Sequence, residues 1–512
     1  MTPPPFSDTG DRSHETDYVV IGSGIGGLCC AALLAKYGYR VTVCESHYLP
    51  GGAAHSFQVG GYSFDAGPSF FLGIGGPPGD GSPNPLKQWI VYPPEGGCFP
   101  NIAAGSAYED TILRRGGPEA LRQWRQLDAA MKPLQTAAGL FPAAALRGDP
   151  GVVLTAARFM GPEMLAMGGV APLLTGPFSA LVDRHVTHPW LRAFLDLEMG
   201  GSAAIIDALV RGLQRNGGRL LLRSHVESVL MEGGRAAGVV LRGQQQQAGS
   251  SGSGAGGGGG GGSGRREVIR ARLGVVSNAS VWDTQRLLPE GAAPPEWRRK
   301  AEATPALDSF VHLHLGIDAT GLDPDLECHH LVVNSWQGIT DPQNVIIASV
   351  PTVFDPSLAP PGKATVHCYC AANEPYELWA GMDRRSPEYR AFKEERAQPL
   401  WRALERFIPD IRERTELKLV GSPLTHERFV RRHRGSYGPG ISAAGGQGWP
   451  GPRTPVPGLS VCGDSCMPGI GVPAAAASGM IAANSLAPVW SHLAMMGELL
   501  PAPGAAAATA RR

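Results

Sequence analysis

Apolar and polar positions along the chain sort into short β-branched runs, each followed by a turn and then a small-residue run. Residues 18–21 form a brief apolar strand, residues 25–37 an Ala- and Leu-rich helix stopped by Gly38, and residues 39–44 a second strand. The same pattern closes the chain: residues 459–462 read as a strand and residues 474–486 as an Ala/Ser helix. Between them, residues 203–213 predict a helix ended by Gly217-Gly218, followed by strands over 219–222, 226–231, 236–241 and 268–277. Strand, turn and helix recurring in this order predict an α/β domain built on a Rossmann-type sheet and assembled from distant parts of the chain.

The remaining pattern is different. Residues 310–315, 345–350 and 365–369 are strand-like, and 389–408 is a helix with Lys, Arg and Glu on one face, the profile of an antiparallel α+β substrate domain. Residues 106–200 read as helical, with Leu/Ala periodicity over 121–134 and 191–197. Within them, residues 164–182 carry no charge. That length would span a bilayer, but three glycines and two prolines interrupt it, which leaves buried helical core or an apolar tunnel mouth. Residues 74–85 are a Gly/Pro-rich loop, and 244–264 a Gln/Ser/Gly tract of the kind tolerated as a disordered hairpin extension. The expected organisation is therefore a nucleotide domain in three parts (1–75, 201–280, 431–490), a helical or substrate region (76–200), a substrate domain (281–430) and a flexible tail (491–512).

Composition adds bounds. Lys plus Arg and Asp plus Glu are 45 each, and this zero net charge argues against a nucleic-acid partner. Charged residues are only 18%, below the usual quarter, which suits large apolar surfaces or pockets. The nine cysteines form no C-x-x-C pair and read as reduced packing residues. His312 and His314 share one strand face and could ligate a metal, but with no third ligand evident they read as core or pocket-wall residues, and no metal is expected. Before Tyr18 the chain carries Asp8, Asp11, Glu15 and Asp17 against Arg12, unlike a signal or Arg-rich transit peptide.

The chemistry lies in the turns. Gly22, Gly24 and Gly27 fit G-x-G-x-x-G: a tight turn, close approach to a pyrophosphate, and close packing of helix on strand. Glu45 ends the second strand about 20 residues further on, where an acid binds ribose hydroxyls. Gly51 and Gly52 form a second glycine pair, not expected of a plain NAD site. In the closing segment Asp464 is placed to accept from ribityl hydroxyls, Gly469 and Gly471 to let backbone approach an isoalloxazine, and the next helix to present N–H groups to its N1–C2=O edge. Asn278 should sit at a strand end beside the nucleotide. The basic run 428–434 is a solvated loop or a border of the flavin pocket. The two segments together indicate FAD.

The stretches Gly51-Gly52-Ala53-Ala54-His55-Ser56-Phe57, Phe64-Asp65-Ala66-Gly67-Pro68-Ser69, Val275-Val276-Ser277-Asn278-Ala279-Ser280, Ser422-Pro423-Leu424-Thr425-His426 and Pro468-Gly469-Ile470-Gly471-Val472-Pro473 resemble the carotenoid isomerase and phytoene desaturase flavoproteins, in the carotenoid isomerase-like branch. The resemblance runs from Tyr18 to about Leu486. It implies an amine-oxidase-like fold with FAD along Gly22, Gly24, Gly26, Gly27, Glu45, Ser46, Gly51 and Gly52. Val226 would contact adenine through its backbone, and Gly463, Asp464, Gly471 and Val472 would hold the ribityl and flavin end. It also implies a lipophilic polyene substrate, peripheral membrane contact, a plastid location and flavin-centred cis–trans isomerisation without net redox change. Desaturation or saturation of a carotenoid or retinoid, and a non-catalytic flavin-binding role, remain as alternatives; the electron donor or acceptor is unassigned. Relative to that pattern the chain is short near residues 86–92 and 198–201.

Overall fold

The computed structural model describes residues 15–67, 89–101, 106–140, 142–159, 182, 184–191, 204–242, 267–370, 372–441 and 448–499. Two seven-stranded sheets dominate it. The first contains β1 (Glu15–Ile21) and β2 (Val41–Cys44), with α1 (Ile25–Lys36) between them. Two small strands follow, β3 (Ser56–Val59) and β4 (Tyr62–Asp65), then β5 (Trp89–Tyr92) and β6 (Phe99–Asn101). Helices α2 (Ser106–Leu140), α3 (Val152–Ala157) and α4 (Ala204–Arg215) lead back to the first sheet through β7 (Arg219–Leu221), β8 (Val226–Glu232), β9 (Arg235–Leu241) and β10 (Glu267–Ser277).

The order of that sheet is β7-β2-β1-β10-β9-β8. Its centre is parallel, and β8 and β9 are added antiparallel. Strand β1 explains its own burial. Tyr18 and Val20 point into the core beneath α1 and α4, whereas Val19 and Ile21 point to the opposite face, so alternate residues are apolar in both directions.

The chain then forms α5 (Val281–Arg286) and α6 (Pro295–Ala303) before the second sheet: β11 (His312–Asp318), β12 (His329–Val333), β13 (Val345–Ser349) and β14 (Lys363–Cys370). Helix α7 (Pro387–Leu404), β15 (Thr415–Gly421) and α8 (Pro423–Val430) complete this region. The order is β15-β11-β14-β13-β12-β5-β6, antiparallel except where β5 meets β12. Leu313, Leu315, Val366 and Cys368 fill a core with Leu400 and Leu404 of α7. The alternate residues His312, His314, His367 and Tyr369 face the other way. The chain returns to the first sheet with β16 (Leu459–Val461), which pairs with β10, and with α9 (Val472–Leu486) and α10 (Val489–Leu499).

Residues 89–101, in the segment expected to be helical or part of the substrate region, supply β5 and β6 to the substrate sheet, because β5 extends it through parallel pairing with β12. Two boundaries differ from the sequence reading. Leu287, Leu288, Ala293 and Trp297, expected in the substrate domain, pack on the nucleotide sheet. Residues 491–499, expected as a flexible tail, belong to α10, which buries His492, Met495 and Met496. Segments 74–85, 164–181, 192–203 and 244–264 lie outside the described residues. Among the described residues no helix is long and apolar enough to cross a membrane. The cysteines are free, and all but Cys98 are buried.

Candidate functional site

A cavity of about 1230 Å³ lies between the two sheets. That exceeds the roughly 300–1,000 Å³ of common small-molecule pockets. One wall is the glycine-rich edge of the nucleotide sheet. The strand end Ile21 leads to Gly22 and then to α1, whose N-cap Gly24 has no capping side chain. Helix α9 likewise starts at Gly471 without a side-chain cap. Two helix N-termini therefore open without capping side chains at one cavity, the arrangement that receives phosphate or another electron-rich edge.

Gly26 and Gly27 are required by contact with backbone, and Gly24 by the nearby Asn278 amide only as far as that side chain cannot move. A Cβ on Gly24 would lie 2.7 Å from Asn278 Nδ2, and one on Gly26 would lie 2.7 Å from Gly463 Cα. A Cβ on Gly27 would lie 2.2 Å from the Gly22 carbonyl oxygen. Gly27 thus seats α1 on β1 and does not line the cavity. Gly22, Gly24, Gly26, Glu45, Ser46, Gly51, Gly52, Val226, Gly463, Asp464, Gly471 and Val472 all do, and so does Asn278. Gly469, expected at the isoalloxazine, packs instead against Trp449, where a Cβ would lie 2.9 Å from the indole.

Glu45 and Asp464 on this wall are already fixed. Glu45 accepts from Ser23 N and Ser23 Oγ on one oxygen and from His47 N on the other, each at 2.7 Å. These bonds tie the ends of β1 and β2 together and leave the remaining lone pairs of the carboxylate free to accept. Ser46 Oγ bonds His225 Nδ1 at 2.9 Å, next to Val226. Asp464 is ion-paired with Arg432, whose Nε donates to the Ser436 carbonyl at 2.8 Å and whose Nη2 donates to the Tyr437 carbonyl at 2.9 Å. Arg431, Arg432 and His433 line the cavity, so this part of the basic run borders the pocket.

The opposite wall comes from the second sheet and α8: Phe310, His312, Val345, Ile347, Tyr369 and His426. Behind it His312 Nδ1 and His367 Nε2 share a hydrogen bond of 2.7 Å, and His314 Nε2 donates to the Asp65 carbonyl at 2.9 Å. The third imidazole missing from the sequence reading is therefore His367, paired with His314 in the register of β11 and β14. The rings of His314 and His367 stack 4.2 Å apart at 9°. Ligand lone pairs lie in the ring plane, so stacked rings do not aim them at one point, and His312 and His367 use their facing nitrogens on each other. Burial pushes His314 down to about 4 and His426 to about 3, and holds His312 and His367 well below the ordinary range. The whole cluster is neutral at pH 7.

This fold and this cradle define a two-domain flavoprotein. Its uncapped helix ends and Cβ-excluding turns, with Glu45 and Asp464 at the cavity, fit FAD. Residues 20–78 match the NAD(P)-binding Rossmann-like domain, and residues 104–487 match the flavin containing amine oxidoreductases. The chain belongs to that family, within its carotenoid isomerase and phytoene desaturase branch, and its cofactor is FAD. It is 30% identical to prolycopene isomerase 2 of an Oncidium hybrid, over 93% of this chain and 84% of the relative. It is 26% identical to a neurosporene-forming phytoene desaturase of Cereibacter sphaeroides, over 83% and 84%. All-trans-retinol 13,14-reductase of Danio rerio is 24% identical over 83% and 78%. Among solved structures, wild-type putrescine oxidase bound to putrescine superposes with a TM-score of 0.52 at 14% identity, over 92% of this chain and 99% of that one. An oxidoreductase from Methanosarcina mazei gives 0.50 at 19%, over 90% and 98%. These two show the fold.

Proposed function

We propose that the protein is a carotenoid isomerase-like enzyme that converts a long polyene between cis and trans forms with FAD in its reduced state. The observation that carries this reading is one continuous cavity with a glycine-lined edge for the cofactor and a wall of Phe310, Val345, Ile347 and Tyr369 for an apolar substrate. In this reading Gly22, Gly24 and Gly26 admit the pyrophosphate, with Gly27 holding the helix in place. Glu45 and Ser46 face the ribose, Gly51 and Gly52 crowd the diphosphate, and Val226 meets the adenine with its backbone. Gly463 and Asp464 hold the ribityl chain, and Gly471 and Val472 offer N–H groups to the flavin edge. Bound FAD would supply, in its reduced state, electron density that the polyene borrows and returns, with no net redox change. The chain's own residues position the polyene, exclude water and keep the wall uncharged, since the histidines lining and backing it hold no extra proton at pH 7. The chloroplastic relatives support a plastid setting, and a lipophilic substrate supports contact with a membrane surface.

The test is to reduce the flavin-loaded protein with dithionite in the presence of a cis-carotenoid and to follow products by chromatography and mass. Isomerisation changes retention at constant mass. The second reading, supported by the reductase and desaturase relatives, shifts the mass by two hydrogens. Reduced flavin supports only the gain of two hydrogens, so the loss is tested with oxidised flavin and an added electron acceptor; a flavin-loaded protein inactive in both states has a binding role only.

A further inference from the structure

The substrate wall contains three side-chain polar atoms without a hydrogen-bond partner among the described residues: His312 Nε2, Tyr369 OH and His426 Nε2. His312 is only 2% exposed and Tyr369 3%, and all three residues line the cavity. They come from three elements, β11, β14 and α8, yet they converge. The His312 ring lies 5.3 Å from the Tyr369 ring and 4.7 Å from the His426 ring. Enclosed polar atoms are nearly always paired, because desolvation without a partner is costly. The cofactor wall obeys that rule at Glu45, Asp464 and Arg432. Three exceptions in one place mark a position where a bound group completes the pairing.

We propose that His312, Tyr369 and His426 form a subsite for a hydroxyl group carried by the polyene, so that the substrate class is an oxygenated polyene and not a plain hydrocarbon. This rests on the polyene reading above. The chemistry of the subsite selects a neutral oxygen. The histidines are uncharged, and the nearby cation Arg432 has its donors committed to Asp464, Ser436 and Tyr437. A hydroxyl both donates and accepts, and so does this site. Tyr369 OH does both. His312 Nε2 accepts in the neutral tautomer whose Nδ1 donates to His367, and donates in the neutral tautomer whose Nδ1 accepts from it, so either role is open to this atom.

The experiment uses the full FAD-loaded protein and two probes in detergent micelles: β-carotene, and zeaxanthin, which differs from it in its ring hydroxyls. Binding is read from quenching of tryptophan fluorescence, independently of turnover. The expected result is tighter binding of zeaxanthin by about tenfold to a hundredfold. Tyr369→Phe and His426→Leu should each reduce that ratio by about tenfold. In Tyr369→Phe the flavin absorbance stays unchanged and the melting temperature is equal or higher, because an unpaired hydroxyl has been removed. Equal binding of the two probes, preference for β-carotene, or a ratio that both variants leave intact would each overturn the subsite, as would a site filled only by water, which shows no preference. If neither probe binds protein that is yellow and folded, the polyene reading itself fails and the subsite falls with it.

Discussion

The two walls of the cavity are built on opposite principles. The cofactor wall presents backbone: glycine turns, two uncapped helix ends, and carboxylates locked by Ser23, His47 and Arg432. The substrate wall presents side chains from strands that meet only in the folded sheet, and it leaves His312, Tyr369 and His426 with polar atoms unpaired. A cofactor that never changes can be met by a finished surface. The partly unsatisfied surface opposite is completed by whatever occupies it.

The hardest test of this contrast is Gly27→Val. Its side chain would collide with the Gly22 carbonyl, 2.2 Å from a Cβ, and detach α1 from β1. We expect no flavin absorbance in any soluble protein recovered; a yellow variant would refute the cradle. Next is Glu374→Ala in the substrate domain. Glu374 is fully enclosed and accepts from Trp379 Nε1 at 2.9 Å and from Arg396 at 2.7 and 2.9 Å. Removing one partner of such a pair costs about 3–5 kcal/mol. Thermal melting should show that loss, while flavin per folded molecule stays at the native ratio, because the pair does not touch the cofactor wall.

Acidification separates the walls by charge. Burial lowers His55 and His314 to about 4 and His426 to about 3, against about 6.5 in an unfolded chain. Between those values the unfolded chain binds protons that the folded protein refuses. Stability is therefore complete above about pH 6.5 and falls as pH drops towards 4, by up to about 1.4 kcal/mol per unit for each histidine. Melting curves from pH 7.5 to 5 should show this decline, with a shallower slope in His426→Leu; parallel slopes would remove His426 from the account. Asp464→Ala deletes one locked acceptor and releases Arg432. FAD affinity, read by fluorescence titration, should weaken by about tenfold to a hundredfold, since hydrogen bonds to charged groups contribute about 1.5–3 kcal/mol. The smallest effect belongs to deletion of residues 244–264. Leu241 and Glu267 are already paired across β9 and β10, so a short turn can replace the tract with flavin content unchanged.

The glycine-rich wall is legible in the chain alone. Its turns and helix ends are backbone features, and the spacing of Gly22, Gly24, Gly463 and Gly471, with Gly27 behind them, is a local property. The same locality made β1, α1, β10 and α9 legible within a few residues. Histidines 312 and 314 were visible, but their meaning was not. His367 lies 55 residues further along, and only the antiparallel register of β11 with β14 puts it against them. Tyr369 joins through the same register, and His426 arrives from α8, which packs beside them. The parallel addition of β5 to β12, the packing of residues 287–297 on the nucleotide sheet and the burial of α10 were also tertiary decisions. Each depends on which apolar faces find one another across long loops, and no window of sequence contains both partners.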